Sequence, residues 1–457
     1  MRKTYGLVIF SYLAVIISVS ALPPTPSIAG PSIAGLHVSG SSILNSLNQA
    51  VILRGVNVAG AAYMCQAAGS NLAFDGPTDQ ASVDALKSWN INVVRIPVNE
   101  DCWLGINGQP SSGQTAAQYQ AAITTYINLL NSNGIAVIFD LQFSAPGTAL
   151  GQNTLPMPDA DHSSAFWASV ANTYKNNSSV IFDLFNEPWP DNNNISSAAW
   201  TCLKNGGTCP GVSYTTVGMQ SLVDTVRATG ATNILMIPGI TYANTLDQWL
   251  TYKPTDPLNN LAASWHSYAG QYCSGQSCWD SQIAPVAAAV PLIAGEIGES
   301  DCAATFINPL MTWLDAHNAN YLGWAWATYD CSAFPSLISN YDGTPTPFGQ
   351  GLHDHLLALT GSPAPIVSLS VSPNSIVSGQ FATLTWSSTN ATSCTGTDFA
   401  ASGTSGSTAV APTSNTIYSI TCTGTEQVGC HCCGSGKDHR AARGRDDYQT
   451  CFTSNRV

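Results

Sequence analysis

Apolar runs alternate with amphipathic stretches from residue 50 to about residue 360. Each run is nearly continuous in Val, Ile, Leu and aromatic residues, a pattern typical of parallel strands that are buried on both faces. The stretches between them carry apolar residues at helical spacing, most clearly near 80–89, 116–131 and 348–359. The pattern predicts strands within 50–58, 91–98, 135–143, 180–188, 233–239, 261–268, 290–298 and 321–328.

Strands that alternate with helices along a chain form a parallel sheet covered by helices. Eight such strands are the number that closes a (β/α)₈ barrel, and barrels of this kind take roughly 250 to 300 residues. The sequence therefore predicts an α/β protein in which residues 22–360 form a TIM barrel. We expect the helix near 348–359 to complete the barrel.

The strand–helix rhythm stops at the GSPAP segment, residues 361–365. Residues 361–366 are therefore predicted to be a linker. Beyond it, Ser, Thr and Val alternate with period two, which predicts a small all-β sandwich over 367–424, with Trp386 in its core and a bridge between Cys394 and Cys422. Residues 425–457 lack apolar periodicity, and we expect an irregular, disordered tail there.

The amino terminus has the pattern of a secretion signal. Arg2 and Lys3 precede an apolar stretch over about 7–19, and small residues follow at Ser20 and Ala21. The apolar stretch is shorter than the roughly 20 residues that a membrane-spanning helix needs. We therefore expect residues 1–21 to be removed and the protein to be secreted, extracellular and free of the membrane.

Composition narrows the range of partners. The chain has 14 Lys and Arg and a formal net charge of −13, which argues against nucleic acids and anionic membranes as ligands. A neutral, hydroxyl-rich ligand fits this charge better. Secretion would also make the 14 cysteines disulfide partners rather than metal ligands. Proximity in sequence and the expected topology suggest four pairs, Cys65–Cys102, Cys202–Cys209, Cys273–Cys278 and Cys302–Cys331.

Two predicted strands end in a carboxylate. Glu187 follows the run VIFDLFN and Glu296 follows VPLIAG. Either could be a turn residue or a helix cap, but strand ends are where barrel enzymes hold their chemistry, and glycoside hydrolysis needs two facing carboxyl groups. Polar and aromatic residues at three further strand ends favour a shared site, namely Arg95, His266, Tyr268, Trp324 and Trp326.

Five short motifs carry a family resemblance. They are LRGVN at 53–57, VRIPV at 94–98, FNEP at 185–188, WHSY at 265–268 and AGEIG at 294–298. In this order along a strand–helix repeat, they make the chain resemble glycoside hydrolase family 5 over roughly residues 39–355. The resemblance implies that Glu187 is the general acid and base, that Glu296 is the nucleophile, and that the anomeric configuration is retained.

The resemblance also implies supporting roles. Arg95 would favour the ionised form of Glu296, and Asn186 would bond the 2-hydroxyl of the sugar. His266 and Tyr268 would position the two carboxylates. Each residue also has a purely structural interpretation, as a buried ion pair, a satisfied core histidine or barrel packing.

Two further candidates for contacts with the sugar are Gln142 and a tryptophan after the eighth strand run. Strand alternation places Trp324 and Trp326 on one face, and the family pattern favours Trp326 as the floor under the reacting sugar. The third strand departs from the family, because Gln142 stands where a histidine usually follows Asp-Leu. An amide can form hydrogen bonds but cannot titrate, so Gln142 puts the usual pH profile and sugar contacts in doubt.

The resulting prediction is a secreted, monomeric, retaining endo-β-1,4-glucanase that acts on a polysaccharide and needs no metal or organic cofactor. Endo-β-1,4-mannanase or xylanase activity on the same site is the alternative. A non-catalytic polysaccharide-binding protein is the alternative from another class. Residues 372–394 resemble bacterial immunoglobulin-like modules, which serve as spacers or stabilisers in secreted enzymes.

Overall fold

The computed structural model describes residues 32–359, 366–373, 376–389, 391, 393–401, 403–414, 416–423 and 448–453. The predicted signal segment 1–21 and most of the predicted tail lie outside these residues. None of the helices in the described ranges is both long enough and apolar enough to cross a membrane.

Eight parallel strands form a closed barrel, as the sequence pattern predicts. Sequence neighbours pair around the barrel, and the eighth strand closes it against the first. The fourth strand ends at Asp183, four residues before Glu187. In chain order the strands are Arg54–Asn57, Val93–Asn99, Ala136–Phe143, Val180–Asp183, Leu235–Pro238, Leu261–Tyr268, Leu292–Gly298 and Asn320–Gly323.

Two apolar cores explain why these runs become strands. Alternate residues of a strand point to opposite faces, so each strand contributes both to the barrel interior and to the layer under the helices. Ile138 belongs to the inner core, whereas its neighbours Val137 and Phe139 belong to the outer one. An amino-terminal hairpin of His37–Ser39 and Ser42–Leu44 adds to the inner core, because Leu36, just before it, and Ile43, within it, belong to the same buried cluster.

Helices cover the outside of the barrel. The Thr115 hydroxyl and the Gln118 side chain form a capping box at the start of the longest helix, which satisfies two backbone N–H groups there. The main helices are Gln80–Ser88, Glu100–Leu104, Ala116–Ser132, Ser163–Tyr174, Ser197–Asn205, Met219–Ala228, Trp249–Tyr252, Ala284–Ala287, Ile307–Ala316 and Pro347–Leu359.

The four predicted barrel disulfides are present, and this part of the prediction is confirmed. They are Cys65–Cys102, Cys202–Cys209, Cys273–Cys278 and Cys302–Cys331. Cys394 is also disulfide-bonded and stands opposite Cys422 in the strand register. The Cys422 side chain lies outside the described residues.

Beyond the barrel the chain forms two small antiparallel sheets of three strands each. Leu384 and Trp386 from one sheet and Tyr418 and Ile420 from the other share a small buried core. The strand Tyr448–Thr453 pairs with Ile417–Thr423 although it lies in the segment predicted to be irregular. The other strands are Ile366–Ser372, Ala382–Thr389, Ser393–Thr397 and Ser405–Val410.

Candidate active site

The carboxyl ends of the barrel strands bring most of the predicted site residues together. Because parallel strands in a barrel all point the same way, their carboxyl ends surround one opening. Contacts join residues from the second, fourth, sixth and seventh strands or the loops that follow them, namely Arg95, Asn186, Glu187, His266, Tyr268 and Glu296.

Arg95 lies at the centre of this group and is fully buried. Its guanidinium donates to Glu296 Oε1 at 2.8 Å, to Asp183 Oδ2 at 3.0 Å and to Asn186 Oδ1 at 2.9 Å. Asp140 Oδ1 lies 3.0 Å from Nη2. Burial alone would lower the pKa of Arg95, but Asp140, Asp183 and Glu296 raise it above its ordinary value. The guanidinium therefore stays charged and offsets several carboxylates at once.

Sequence reasoning missed Asp140 and Asp183. Both are fully buried, and burial raises the pKa of each, while the Arg95 charge lowers it. A signal for them was available, because each aspartate interrupts an otherwise apolar strand run, IFDLQF or VIFDLF. A buried acid in such a run requires a cationic partner or a proton.

Glu296 is held on both oxygens. Arg95 Nη1 donates to Oε1 at 2.8 Å, and the Tyr268 hydroxyl donates to Oε2 at 2.6 Å. The side chain is 4% exposed. These two donors fix the orientation of the carboxylate.

Glu187 has a different environment. Its Oε1 lies 3.0 Å from His266 Nδ1, and its side chain is 16% exposed. Burial raises the pKa of Glu187 to about 7, although the Arg95 charge acts in the opposite direction. A large fraction of Glu187 is therefore protonated at neutral pH, as a general acid must be.

His266 lies between the two acids. Its Nδ1 is 3.0 Å from Glu187 Oε1 and 3.6 Å from Glu296 Oε2. Burial lowers the pKa of His266 to about 4, against the opposing effect of Glu296, so the imidazole is neutral at neutral pH. One atom from each of the three side chains lies within 4.8 Å of the others, a spacing that would allow the group to hold a cation.

Several buried polar atoms in and beside this group have no hydrogen-bond partner among the described residues, and two of them are amide atoms of predicted substrate-binding residues. They are Asn186 Nδ2, a donor, and Gln142 Oε1, an acceptor. Gln142 is two residues beyond Asp140 on the third strand, so both side chains point into the barrel. Unpaired buried groups are costly, so both atoms are candidates for contacts with a hydroxylated ligand.

The two candidate tryptophans differ in exposure. Trp326 is 4% exposed and packs edge-on against Trp89, with ring centroids 4.9 Å apart. Trp324 is only partly buried. The structure therefore places the predicted floor residue, Trp326, in the core and leaves the Trp324 indole accessible. Both follow Gly323, where the eighth strand ends, so strand alternation does not apply to them.

A second aromatic pair was not predicted from the sequence. Trp189, two residues after Glu187, stacks with Tyr242 at a centroid distance of 5.8 Å and an interplanar angle of 25°. Both rings are partly buried. The backbone N–H of Tyr242 donates to the Pro188 carbonyl at 3.1 Å, which connects this pair to the loop that carries Glu187.

Comparisons with known proteins support the family resemblance and the barrel fold. The model of the cellulase family, glycosyl hydrolase family 5, matches residues 50–330. The chain is 24% identical to the manganese-dependent endoglucanase Eg5A of Phanerodontia chrysosporium, covering 65% of this chain and 77% of that protein. It is 21% identical to a mannan endo-1,4-β-mannosidase of Streptomyces lividans, over 66% of this chain and 70% of that protein.

Solved structures share the fold. A β-glucanase of Saccharophagus degradans, SdGluc5_26A, superimposes with a TM-score of 0.53 at 20% identity. The match covers 74% of this chain and 98% of that one, and the enzyme has also been solved in complex with cellotetraose.

Proposed function

The chain belongs to the cellulase family, glycosyl hydrolase family 5, and is a glycoside hydrolase; from this premise we propose that it is a secreted, retaining endo-β-1,4-glucanase. The observation that carries the proposal is the pair Glu187 and Glu296, two acids of one type in unlike surroundings. Their nearest carboxyl oxygens lie within 4.8 Å of each other. Retaining enzymes hold their carboxyl groups about 5 to 5.5 Å apart, whereas inverting enzymes need about 6.5 to 9.5 Å.

In the first step Glu296 attacks the anomeric carbon while Glu187 donates its proton to the departing glycosidic oxygen. The bond to the leaving sugar breaks as the ester to Glu296 forms. Arg95 and Tyr268 hold Glu296 in position for this attack, with contacts of 2.8 and 2.6 Å.

In the second step Glu187, now a carboxylate, takes a proton from water as the water oxygen attacks the same carbon. Glu296 leaves and regains its charge. A negatively charged neighbour favours the protonated form of an acid, so loss of the Glu296 charge in the ester favours the basic form of Glu187. Both steps use only the two carboxylates, and the proposal assigns no metal to them.

The substrate contacts follow from the unsatisfied groups. Asn186 Oδ1 is held by Arg95 at 2.9 Å, which leaves Nδ2 free to donate to the sugar 2-hydroxyl. Gln142 Oε1 would accept from a second hydroxyl of the reacting sugar. Trp324, rather than the buried Trp326, would support the apolar face of that sugar. The Trp189–Tyr242 pair would lie on the leaving-group side, next to Glu187.

β-1,4-Glucan is the proposed substrate because endoglucanases predominate among the curated relatives and a structural neighbour binds cellotetraose. The mannosidase relative makes mannan the second candidate. A non-catalytic binding protein is disfavoured because both carboxylates and their partners are in place.

An assay of reducing ends tests the proposal. The secreted protein and Glu296→Gln would be compared on carboxymethyl-cellulose, mixed-linkage β-glucan, galactomannan and xylan. Glu299→Gln is the matched control, because Glu299 lies three residues away and accepts from the backbone of Phe306 and Ile307 instead.

We expect glucan cleavage by the wild type and the control, and loss of cleavage in Glu296→Gln. Cleavage of galactomannan or xylan alone would change the substrate assignment. Binding of polysaccharide without turnover would favour the non-catalytic alternative.

A further inference from the structure

A second group of titratable side chains lies apart from the catalytic pair. It consists of Glu100, Asp159 and His162, which we call the Glu100 cluster. Glu100 opens the short helix after the second barrel strand, and the other two residues precede the helix Ser163–Tyr174. One side-chain nitrogen or oxygen atom from each residue lies within 4.8 Å of the others.

Most polar atoms of the cluster have defined partners. Asp159 Oδ1 accepts from the backbone N–H of Asp161 at 3.0 Å and of His162 at 2.8 Å. The Ser163 hydroxyl lies 2.7 Å from Glu100 Oε2 and 3.2 Å from Asp159 Oδ2, and its single hydrogen can serve only one of them. His162 Nδ1 lies 3.2 Å from the Ala145 carbonyl oxygen.

One carboxyl oxygen of the cluster has no hydrogen-bond partner among the described residues. This atom, Glu100 Oε1, is buried. His162 Nδ1 lies 3.9 Å from this oxygen, and the same nitrogen lies 3.6 Å from Asp159 Oδ1. The unpaired oxygen and the His162 nitrogen are therefore close enough to bind one ion together.

The cluster also lacks a permanent counter-charge. Glu100 and Asp159 are both fully buried, and in the described part of the chain neither forms an ion pair with Lys or Arg. Two buried carboxylates need either a shared proton or a cation between them.

We propose that Glu100, Asp159 and His162 bind a divalent transition-metal cation of the Mn²⁺ or Zn²⁺ type. Two carboxylates with one imidazole suit these ions, whereas Ca²⁺ and Mg²⁺ prefer sites made of oxygen alone. The half-buried His162, 21% exposed, gives the ion a route of entry. The bound ion would fasten the loop before the Ser163–Tyr174 helix to the end of the second barrel strand.

The competing arrangement is a proton shared by Glu100 and Asp159. The two arrangements respond differently to Glu100→Gln, because an amide can replace a protonated carboxyl but cannot replace an anionic metal ligand. If Glu100 and Asp159 share a proton, the Tm of Glu100→Gln should equal or exceed that of the wild type. Added metal should then change the Tm of neither protein.

The test uses the full chain after removal of metal with EDTA and dialysis. Mn²⁺ would be titrated while free Mn²⁺ is followed by electron paramagnetic resonance, and Tm would be measured with and without the ion. The variants are Glu100→Gln and His162→Gln. Because His162 is partly exposed, its replacement should disturb folding less than replacement of the buried Glu100. His162→Gln therefore still tests the site if Glu100→Gln does not fold.

Two controls separate this cluster from other acids. Asp161→Asn alters a neighbouring acid that contacts the Gly147 backbone instead. Glu187→Gln removes one member of the catalytic group, which could itself hold a cation. We expect one tightly bound Mn²⁺ and a rise in Tm of several degrees in the wild type and both controls. Both effects should be lost in Glu100→Gln and His162→Gln.

If the wild type does not bind Mn²⁺ tightly, the proposal is overturned in favour of the shared proton. Binding that survives in both cluster variants, or that is lost in Glu187→Gln, would also overturn it by placing the ion elsewhere. These readouts do not depend on hydrolysis, so failure of this proposal and failure of the proposed glucanase activity are distinguishable.

Discussion

At the scale of single residues, the surroundings of Glu187 predict how activity depends on pH. The general acid must be protonated, and burial places the pKa of Glu187 at about 7. We expect kcat/KM on a soluble β-glucan to fall as pH rises through about 7, because the acid form is then lost.

A substrate with a good leaving group needs little protonation and provides the control for that pH profile. An aryl cellobioside with a dinitrophenolate leaving group should show a much weaker decline in kcat/KM over the same range. An unchanged glucan kcat/KM up to pH 9 would contradict the role assigned to Glu187.

The two tryptophans after the eighth strand should respond differently to truncation. Trp324→Ala should raise KM for soluble glucan with little change in Tm, because this indole is accessible from solvent. Trp326→Ala should lower the free energy of unfolding by about 3–5 kcal/mol, because it removes a buried aromatic side chain that packs on Trp89. Denaturant unfolding and initial-rate kinetics on both variants would check this, and the reverse pattern would restore Trp326 as the floor residue.

The convergence of Glu187, Glu296 and their partners could be anticipated from the sequence, because motif order and strand ends place them in one opening. Asp140 and Asp183 could not be connected to Arg95 in the same way. Their contacts depend on how deep each side chain lies inside the barrel, which period-two alternation does not specify. The different exposures of Trp324 and Trp326 could not be predicted from strand alternation either, since the backbone leaves the strand before both residues.

At the scale of elements, the first barrel strand depends on close approach to the second. A Cβ atom added at Gly55 would lie 1.7 Å from the Val93 carbonyl oxygen. Gly55→Ala should therefore force the strands apart and lower Tm strongly. Gly275→Ala is the control, because nothing lies within 4 Å of its added Cβ. Equal Tm values for the two variants, measured by differential scanning calorimetry, would contradict this account of the strand.

Strand positions were predictable because a short continuous apolar run between two helical stretches is typical of a buried parallel strand. Strand ends were less predictable, and the fourth run illustrates why. The paired strand stops at Asp183, and the backbone N–H of Asn186 instead donates to the Leu141 carbonyl at 3.1 Å. This irregular segment, rather than the strand itself, delivers Asn186 and Glu187 to the opening.

At the scale of the whole molecule, the site lies within the barrel. Every contact described for the catalytic pair comes from residues between Arg95 and Glu296. We expect a chain that ends at residue 360 to keep the kcat/KM of the full chain on soluble glucan. A loss of about tenfold in a folded truncated protein, equivalent to about 1.4 kcal/mol, would show that the carboxyl-terminal sheets contribute to catalysis.

The division of the chain into a barrel and a smaller all-β region follows from the change of period after residue 360. The immunoglobulin-like identity of that region stays a prediction, as do the domain limits and secretion. The strand Tyr448–Thr453 could not be foreseen, because its partner strand lies beyond a stretch of chain with no apolar periodicity.

The most direct test of the central claim is to trap the covalent intermediate. The protein would be incubated with a 2-deoxy-2-fluoro-cellobioside carrying a good leaving group, digested, and analysed by mass spectrometry. We predict one glycosyl ester per chain, on the peptide that contains Glu296, and no such ester in Glu296→Gln, because an amide cannot replace the nucleophilic carboxylate. An ester on another residue, or hydrolysis with inversion and no trapped ester, would contradict this claim.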